Sequence, residues 1–397
     1  MGFLAVRPNT ARVLALALVI SFAVAGCRSL HLPQAGRQLE GDWLTEGGDP
    51  GRTYARDVSI RPPLEPVWEY NAGGGFGPAS PLILNGSVIV GTRKGEIHAI
   101  DLESGRSRGV LGVGESVDGA PAIDRFGVIY VPVSWGRRGL LAYDLTRRHT
   151  RWRVKRVPVE AGVLLMGDRV VAADVESRVA AYDVLSGAVI WEHQLSDRAV
   201  VHAAPARISD TAFIVADDEG VVTAIDAIRG EVLWERALEV PVYASPTVVD
   251  DLIYVPTTRG ALVAIDTESG AERFVFEIGH DEAKLTTPAV SGSMLIVGSS
   301  SGELVALDRF SGDELWSFDG EEAIGGAPLI ADAVVYAADM SRSLRAFDLA
   351  SGELLWETEL EGRVKSAMAV GDGGLVVLAE PRNVYLFKPA ETHAAAR

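Results

Sequence analysis

One cysteine in 397 residues excludes a disulfide framework and any zinc site built from paired thiolates. Histidine is scarce and scattered, at 31, 98, 149, 193, 202, 280 and 393, with no H-x-H or H-E-x-x-H spacing for a metal centre. Cations are outnumbered. There are 37 Lys and Arg against 54 Asp and Glu, a formal net charge of −17, which argues against a nucleic-acid partner because phosphate binding needs clustered positive charge. No carboxylate cluster reads as a calcium loop, and no nucleophile elbow or phosphate loop is present. Gly73-Gly-Gly75 lacks the lysine–serine pair that would make it one. What remains is 48% hydrophobic and 23% charged, the composition of a folded globular chain.

The cysteine ends an N-terminal segment with its own grammar. Arg7 and Arg12 precede an apolar run, Val13 to Ala25, and Gly26 precedes Cys27. Charged, apolar and small regions in that order mark an export signal over 1–26, and the run is too short for a comfortable membrane span. Val24-Ala-Gly-Cys27 resembles a bacterial lipobox, which implies cleavage before Cys27 and lipidation of its thiol. The alternative is an ordinary signal peptide with an incidental cysteine. By the sorting rule of such lipoproteins, Arg28 in place of aspartate implies the periplasmic face of the outer membrane. Residues 27–42, with Pro33 and Gly36, read as a polar tether reaching on the order of 50 Å if extended. No other stretch is apolar enough to span.

Most of the chain repeats one phrase: alanine, two residues later aspartate, then glycine, then tryptophan. It stands as Ala181, Asp183, Gly187, Trp191 and as Ala224, Asp226, Gly230, Trp234, and returns twice more, ending at Trp316 and Trp356. Successive aspartates at 101, 144, 183, 226, 266, 308 and 348 are 43, 39, 43, 40, 42 and 40 residues apart. Each unit opens with a proline-led apolar strand such as Pro246-Thr-Val-Val. A turn, a β-branched run, a glycine turn, the strand ending in Ala-x-Asp, and the tryptophan strand follow. That is a hairpin meander of four short strands.

A sheet this small cannot bury both faces, so copies must stack, and radial closure also hides the edges. The fold class expected is all-β, an eight-bladed β-propeller of four-stranded antiparallel blades. Trp152, Trp191, Trp234, Trp316 and Trp356 stand eight residues after their aspartates, and Phe274 takes that place once. An aromatic in nearly every copy serves blade docking rather than one ligand. The aspartates read as turn formers for the same reason.

The count settles closure. The last unit holds three strands, ending in Asn383-Val-Tyr-Leu-Phe387, and Lys388 stands where the next aspartate belonged. The missing strand lies at the other end, in Pro66-Val-Trp68-Glu-Tyr70, which matches the tryptophan strands. The propeller is thus expected over 43–388, closed by its N-terminal strand, with a disordered tail over 389–397. A seven-bladed ring is the alternative.

The Ala-x-Asp-x-x-[ST]-Gly-x-x-x-Trp phrase resembles the repeat of quinoprotein-like (PQQ-repeat) propellers, over roughly 41–388. Gly41-Asp-Trp43 with Gly47-Gly-Asp-Pro50-Gly-Arg-Thr53 is similar to the segment that leads into the ring in these proteins. The class divides into pyrroloquinoline quinone dehydrogenases and non-enzymatic lipoproteins of the BamB family. The dehydrogenases are longer and hold a vicinal disulfide and a calcium ion, and a chain with Cys27 as its only cysteine cannot form that disulfide. Resemblance to the BamB branch implies no cofactor and no catalysis. It implies a membrane-anchored scaffold, a monomer within a complex, bound to the barrel-inserting subunit of the outer-membrane assembly machinery. An envelope lipoprotein that binds another exported protein or a polysaccharide is the second reading, and a quinone-dependent dehydrogenase the third. The family's partner meets loops between neighbouring blades. The corresponding segment here is Leu195-Ser-Asp-Arg198-Ala-Val-Val201-His202, with arginine and apolar residues in a different order from the family's.

One window stands outside the repeat. Arg137, Arg138, Arg147, Arg148, Arg151, Arg153, Lys155 and Arg156 share it with one acid, Asp144, beside a lengthened hairpin that carries Trp135. Arginine beside an exposed aromatic suits an interaction surface. Contact candidates are therefore Trp135, Arg137, Arg138, Arg148, Arg198 and His202. In the alternative, the arginines are solvated outer-strand residues and Trp135 folds onto its own blade.

Overall fold

Apolar β-branched runs separated by Asp/Gly turns form antiparallel strands, and here each repeat forms four. The third blade is representative: Leu164–Met166, Arg169–Ala173, Arg178–Asp183 and Val189–Gln194 pair in sequence order. Its second and third strands are buried on both faces, which is why they are built of Val and Ala. The fourth, at the rim, is largely exposed. At the turn between third and fourth strands, Asp183 Oδ1 accepts the Ser186 N–H at 2.7 Å, and Gly187 sits at φ 69°.

The computed structural model describes residues 29–390 apart from 137, 156–157, 197 and 279–281. The signal, Cys27, Arg137 and residues 391–397 therefore lie outside the described residues. Pro389 and Ala390, expected in the tail, are held by the N-terminal strand instead, Pro389 opposite Leu64 and the Ala390 N–H donating to Pro63 O at 2.9 Å. Eight sheets make eight blades, and no helix occurs among the described residues. Blade 1 opens at Leu82–Leu84 and blade 8 at Ala369–Gly371, and these two innermost strands pack side by side. Leu64–Asn71 pairs antiparallel with Asn383–Pro389, Trp68 opposite Leu386, and supplies the outer strand of blade 8. The ring is closed by its N-terminal strand, with eight blades and not seven.

Side chains at the aspartate-plus-eight position reach the following blade. The Nε1 groups of Trp68, Trp152, Trp191, Trp234 and Trp316 donate to the carbonyls of Leu102, Val184, Ala227, Thr267 and Leu349 at 2.9–3.0 Å. Phe274 lies against Gly312 of the next blade, and Trp356 meets Phe387 edge-on at 6.3 Å.

Two expectations about the lead-in are corrected. Residues 29–42 are not a free tether of 50 Å reach. Leu30 and Ala35 are completely buried, the Leu32 N–H donates to Leu145 O at 2.8 Å, and Tyr143 Oη donates to Leu30 O at 3.0 Å. Apolar residues that can be buried against a blade do not remain in water. The following segment, 43–54, does more than precede the ring: it winds inside it. Inner-strand N–H groups of six blades donate to its carbonyls: Ile83 to Trp43, Ile123 to Leu44, Arg207 to Pro50, Val248 to Gly51, Val290 to Thr53 and Ile330 to Tyr54. The inner edge of each blade is an unpaired strand edge, and this plug pairs it. Ala55–Arg56 then adds to blade 7 as a parallel fifth strand.

Candidate functional site

In a four-stranded meander, the turns joining strands one to two and three to four lie at one end. The hairpin joining strands two to three and the connections between blades lie at the other. The propeller so acquires a turn face and a loop face. The plug and residues 29–42 hold to the turn face, and a funnel of about 480 Å³ opens on the loop face. Its walls are small residues, among them Gly119, Ala204, Ser245 and Gly326, because eight inner strands converge there.

The funnel floor is the plug. Arg52 is buried and positioned by Glu46, with Nη1 2.8 Å from Oε2, and its Nε donates to Pro205 O at 3.0 Å. Tyr54 Oη donates to Glu46 Oε1 at 3.0 Å. Burial, followed by the Glu46 charge, pushes the Tyr54 phenol far above its ordinary value, so it remains a donor. This network was not legible in the repeat, because Glu46, Arg52 and Tyr54 precede it and meet only when the ring closes around them.

The funnel rim is acidic, carrying Asp118 and Glu160. His202 stands between Glu160 and Asp218, 3.7 and 3.8 Å away, with its ring edge-on to Tyr243 at 5.0 Å. Lys284 lies 5.7 Å from the Tyr243 ring. No set of three or more His, Cys, Asp or Glu residues among those described is arranged to hold a metal ion. The residues do not fit pyrroloquinoline quinone either. The quinone carries several carboxylates, whereas among the described residues Lys284 is the one Lys or Arg lining the funnel, and Asp118 and Glu160 would repel them.

The structure divides the contact candidates. Trp135 is 64% exposed at the tip of the lengthened second-blade hairpin, so it does not fold onto its own blade. Arg138 donates to Val113 O at 3.1 Å, which ties that hairpin to the preceding connection. Arg198 is exposed on the connection between blades 3 and 4, and Val200 N donates to Asp218 Oδ1 at 2.7 Å, which fastens the same loop. The apolar residues of that loop, Leu195 and Val201, are buried in the core and unavailable for contact. Trp135, Arg138, Arg198 and His202 therefore share the loop face. Arg148 does not: it follows the third strand of its blade, on the turn face, and its Nε donates to Ser29 Oγ at 3.0 Å.

An eight-bladed ring of this repeat defines a PQQ-type propeller. The sequence profile of outer membrane protein assembly factor BamB matches residues 64–212, 199–317 and 277–391, and the chain belongs to that family. Among solved structures it is similar to BamB from Moraxella catarrhalis, at 19% identity and TM-score 0.69, covering 82% of this chain and 99% of that one. It is also similar to quinohemoprotein alcohol dehydrogenase from Comamonas testosteroni, at 14% identity and TM-score 0.75, covering 89% and 83%. A europium-containing methanol dehydrogenase aligns at 12% identity and TM-score 0.72, covering 88% and 98%. At these identities the structural likeness speaks for the fold alone. Comparison with curated proteins returns no match.

Proposed function

We propose that this protein is a non-catalytic lipoprotein scaffold of outer-membrane protein assembly, anchored through Cys27 at the periplasmic face of the outer membrane. The observation that carries the reading is the family match from residue 64 to 391. The funnel chemistry is compatible with it: the rim is acidic and the Glu46–Arg52 pair of the floor is spent on holding the plug. The proposed partner is the barrel-inserting subunit, met by the loop face through Arg198, His202, Trp135 and Arg138, and Arg137, outside the described residues, stays a contact candidate from the sequence. Arg148 is left out of this surface because it lies at the other end.

Purification of the lipoprotein in mild detergent tests the reading. Co-purification of the barrel-inserting subunit is expected, and Arg198→Glu combined with Trp135→Ala should weaken it without lowering the melting temperature. Recovery of a different exported protein or a polysaccharide in its place would favour the second envelope reading. Turnover of an alcohol on adding the quinone and calcium would overturn the scaffold.

A further inference from the structure

We propose that the sector of the turn face formed by blades 2, 3 and 4 is a membrane-contacting surface that rests on anionic phospholipid. The proposal deepens the reading of Cys27 as the lipid-bearing residue and rests on it.

The first support is how the chain leaves the ring. At the junction of blades 1 and 2 the docking pair is absent: Gly109 stands where the tryptophan belongs and Arg148 where the glycine belongs. The chain itself occupies that place. Ser29 bridges to Val110 of blade 1, Leu30 is buried beneath Tyr143 of blade 2, His31 Nε2 lies 3.0 Å from Thr146 O, and Arg148 holds Ser29. Cys27 is thus bonded within two peptide units, about 7 Å, of a gripped residue. A lipid on Cys27 holds this edge of the turn face at the bilayer surface.

The second support is what the turn face exposes. Among the described residues outside the strands, seven large apolar side chains are exposed, and five of them, Leu39, Phe126, Leu185, Ile228 and Phe310, lie on the turn face. Phe126, Leu185 and Ile228 are turn tips of blades 2, 3 and 4, a run of consecutive blades that starts at the anchor junction. The other two, Trp135 and Tyr243, lie on the loop face. Apolar tips of this kind insert at the boundary between headgroups and acyl chains.

The third support is charge. Around blade 2 the exposed side chains include Arg37, Arg125, Arg147 and Arg148, with the Arg125 guanidinium 4.8 Å from the Phe126 ring. The acids beside them are occupied: Asp144 is buried against Arg151 at 2.9 Å, and Asp124 accepts from Tyr130 Oη at 2.9 Å. In blades 3 and 4 the turn-face carboxylates of Asp168 and Asp210 are exposed beside Arg169 and Arg207, and Asp226 lies beside Arg229, so the basic collar belongs to blade 2 while blades 3 and 4 contribute apolar tips. In a chain of net charge −17, a basic and aromatic collar around the anchor complements anionic lipid, whereas the acidic funnel rim on the loop face is repelled by it. The arrangement leaves the loop face directed away from the bilayer.

The full lipoprotein, reconstituted in phosphatidylethanolamine–phosphatidylglycerol vesicles that contain a nitroxide headgroup lipid, tests this. In the lipoprotein the Cys27 thiol is consumed, so an introduced cysteine is the sole site for a fluorescent label. Labels at Phe126→Cys and Ile228→Cys should be quenched several-fold more than labels at Trp135→Cys and Tyr243→Cys, with unchanged circular-dichroism melts. Adding Arg125→Glu and Arg147→Glu should reduce the turn-face quenching while the protein stays on the vesicle. Equal quenching of both faces, or self-quenching between turn-face labels that marks a contact between two copies, overturns the proposal and leaves the anchor intact. Mass spectrometry that finds Cys27 without lipid overturns the anchor and this proposal together.

Discussion

The indole of Trp191 rests on the bare α-carbon of Gly230 in the next blade, where an added methyl would fall 2.6 Å from the ring. The same relation joins Trp68 to Gly105, Trp152 to Gly187, Trp234 to Gly270, Phe274 to Gly312 and Trp316 to Gly352. The tryptophan and the glycine of the repeat are thus two halves of one contact, made between successive copies rather than within one. Gly230 needs to be glycine twice over, for its φ of 74° and for the ring above it.

Trp191→Ala should cost about 3–5 kcal/mol, since the side chain is buried and donates to Ala227. Gly230→Ala should cost about 2–4 kcal/mol from its backbone region and the clash. The double variant should be less destabilised than the sum, because removing the indole relieves the clash. Urea unfolding of the four proteins measures the coupling, and strict additivity would contradict the paired contact.

Tyr254 Oη donates to Arg309 O at 3.0 Å, at the junction where Phe274 has no N–H to offer. At five other junctions an indole serves the carbonyl at this position. Burial pushes the phenol up to about 12, so it stays protonated at neutral pH. Tyr254→Phe should therefore cost about 1–2 kcal/mol, and adding Phe274→Trp should recover part of it. Chemical denaturation of both variants decides.

The repeat's aspartates make the fold acid-sensitive. Burial works to raise the pKa of Asp144, but hydrogen bonds from Thr146, Arg151 and the Arg147 backbone outweigh it and hold the carboxyl at about 2. Asp101 is likewise held at about 2, burial being outweighed by Ser104 and Arg108. A carboxylate whose folded pKa is depressed contributes stability above its unfolded value and loses it as pH falls through the folded value. The urea midpoint should drop between about pH 4 and pH 2. Asp144→Asn should lower it at pH 7 and flatten that acid limb, and an unchanged limb would refute the assignment.

Glu46→Ala should destabilise by about 3–5 kcal/mol, because it leaves the buried Arg52 guanidinium without its partner. Replacing the pair together, Glu46→Leu with Arg52→Met, should cost less than that. Calorimetry on the two variants separates loss of a partner from loss of packing.

The legible features were those that recur. The seven aspartates gave the period, and the strand around Trp68 matched the deficit in the last unit, so blade count and closure followed from counting. The lead-in at 41–53 was visible as a segment, yet its carbonyls meet inner strands more than 250 residues distant, as Ile330 shows. No local pattern encodes such partners. The basic window misled in a different way. Its arginines are neighbours in sequence, but the meander sends Arg138 to one face and Arg148 to the other.

Residue order alone therefore decided the period, the strand pattern and the number of blades, because alternating burial and turn chemistry are local and repeat with the chain. Tertiary structure decided where the lead-in runs, which end of the ring is open and which charged side chains share a surface. Those outcomes depend on which distant backbone edges still lack hydrogen-bond partners after the blades have formed, and that is a property of the assembled ring.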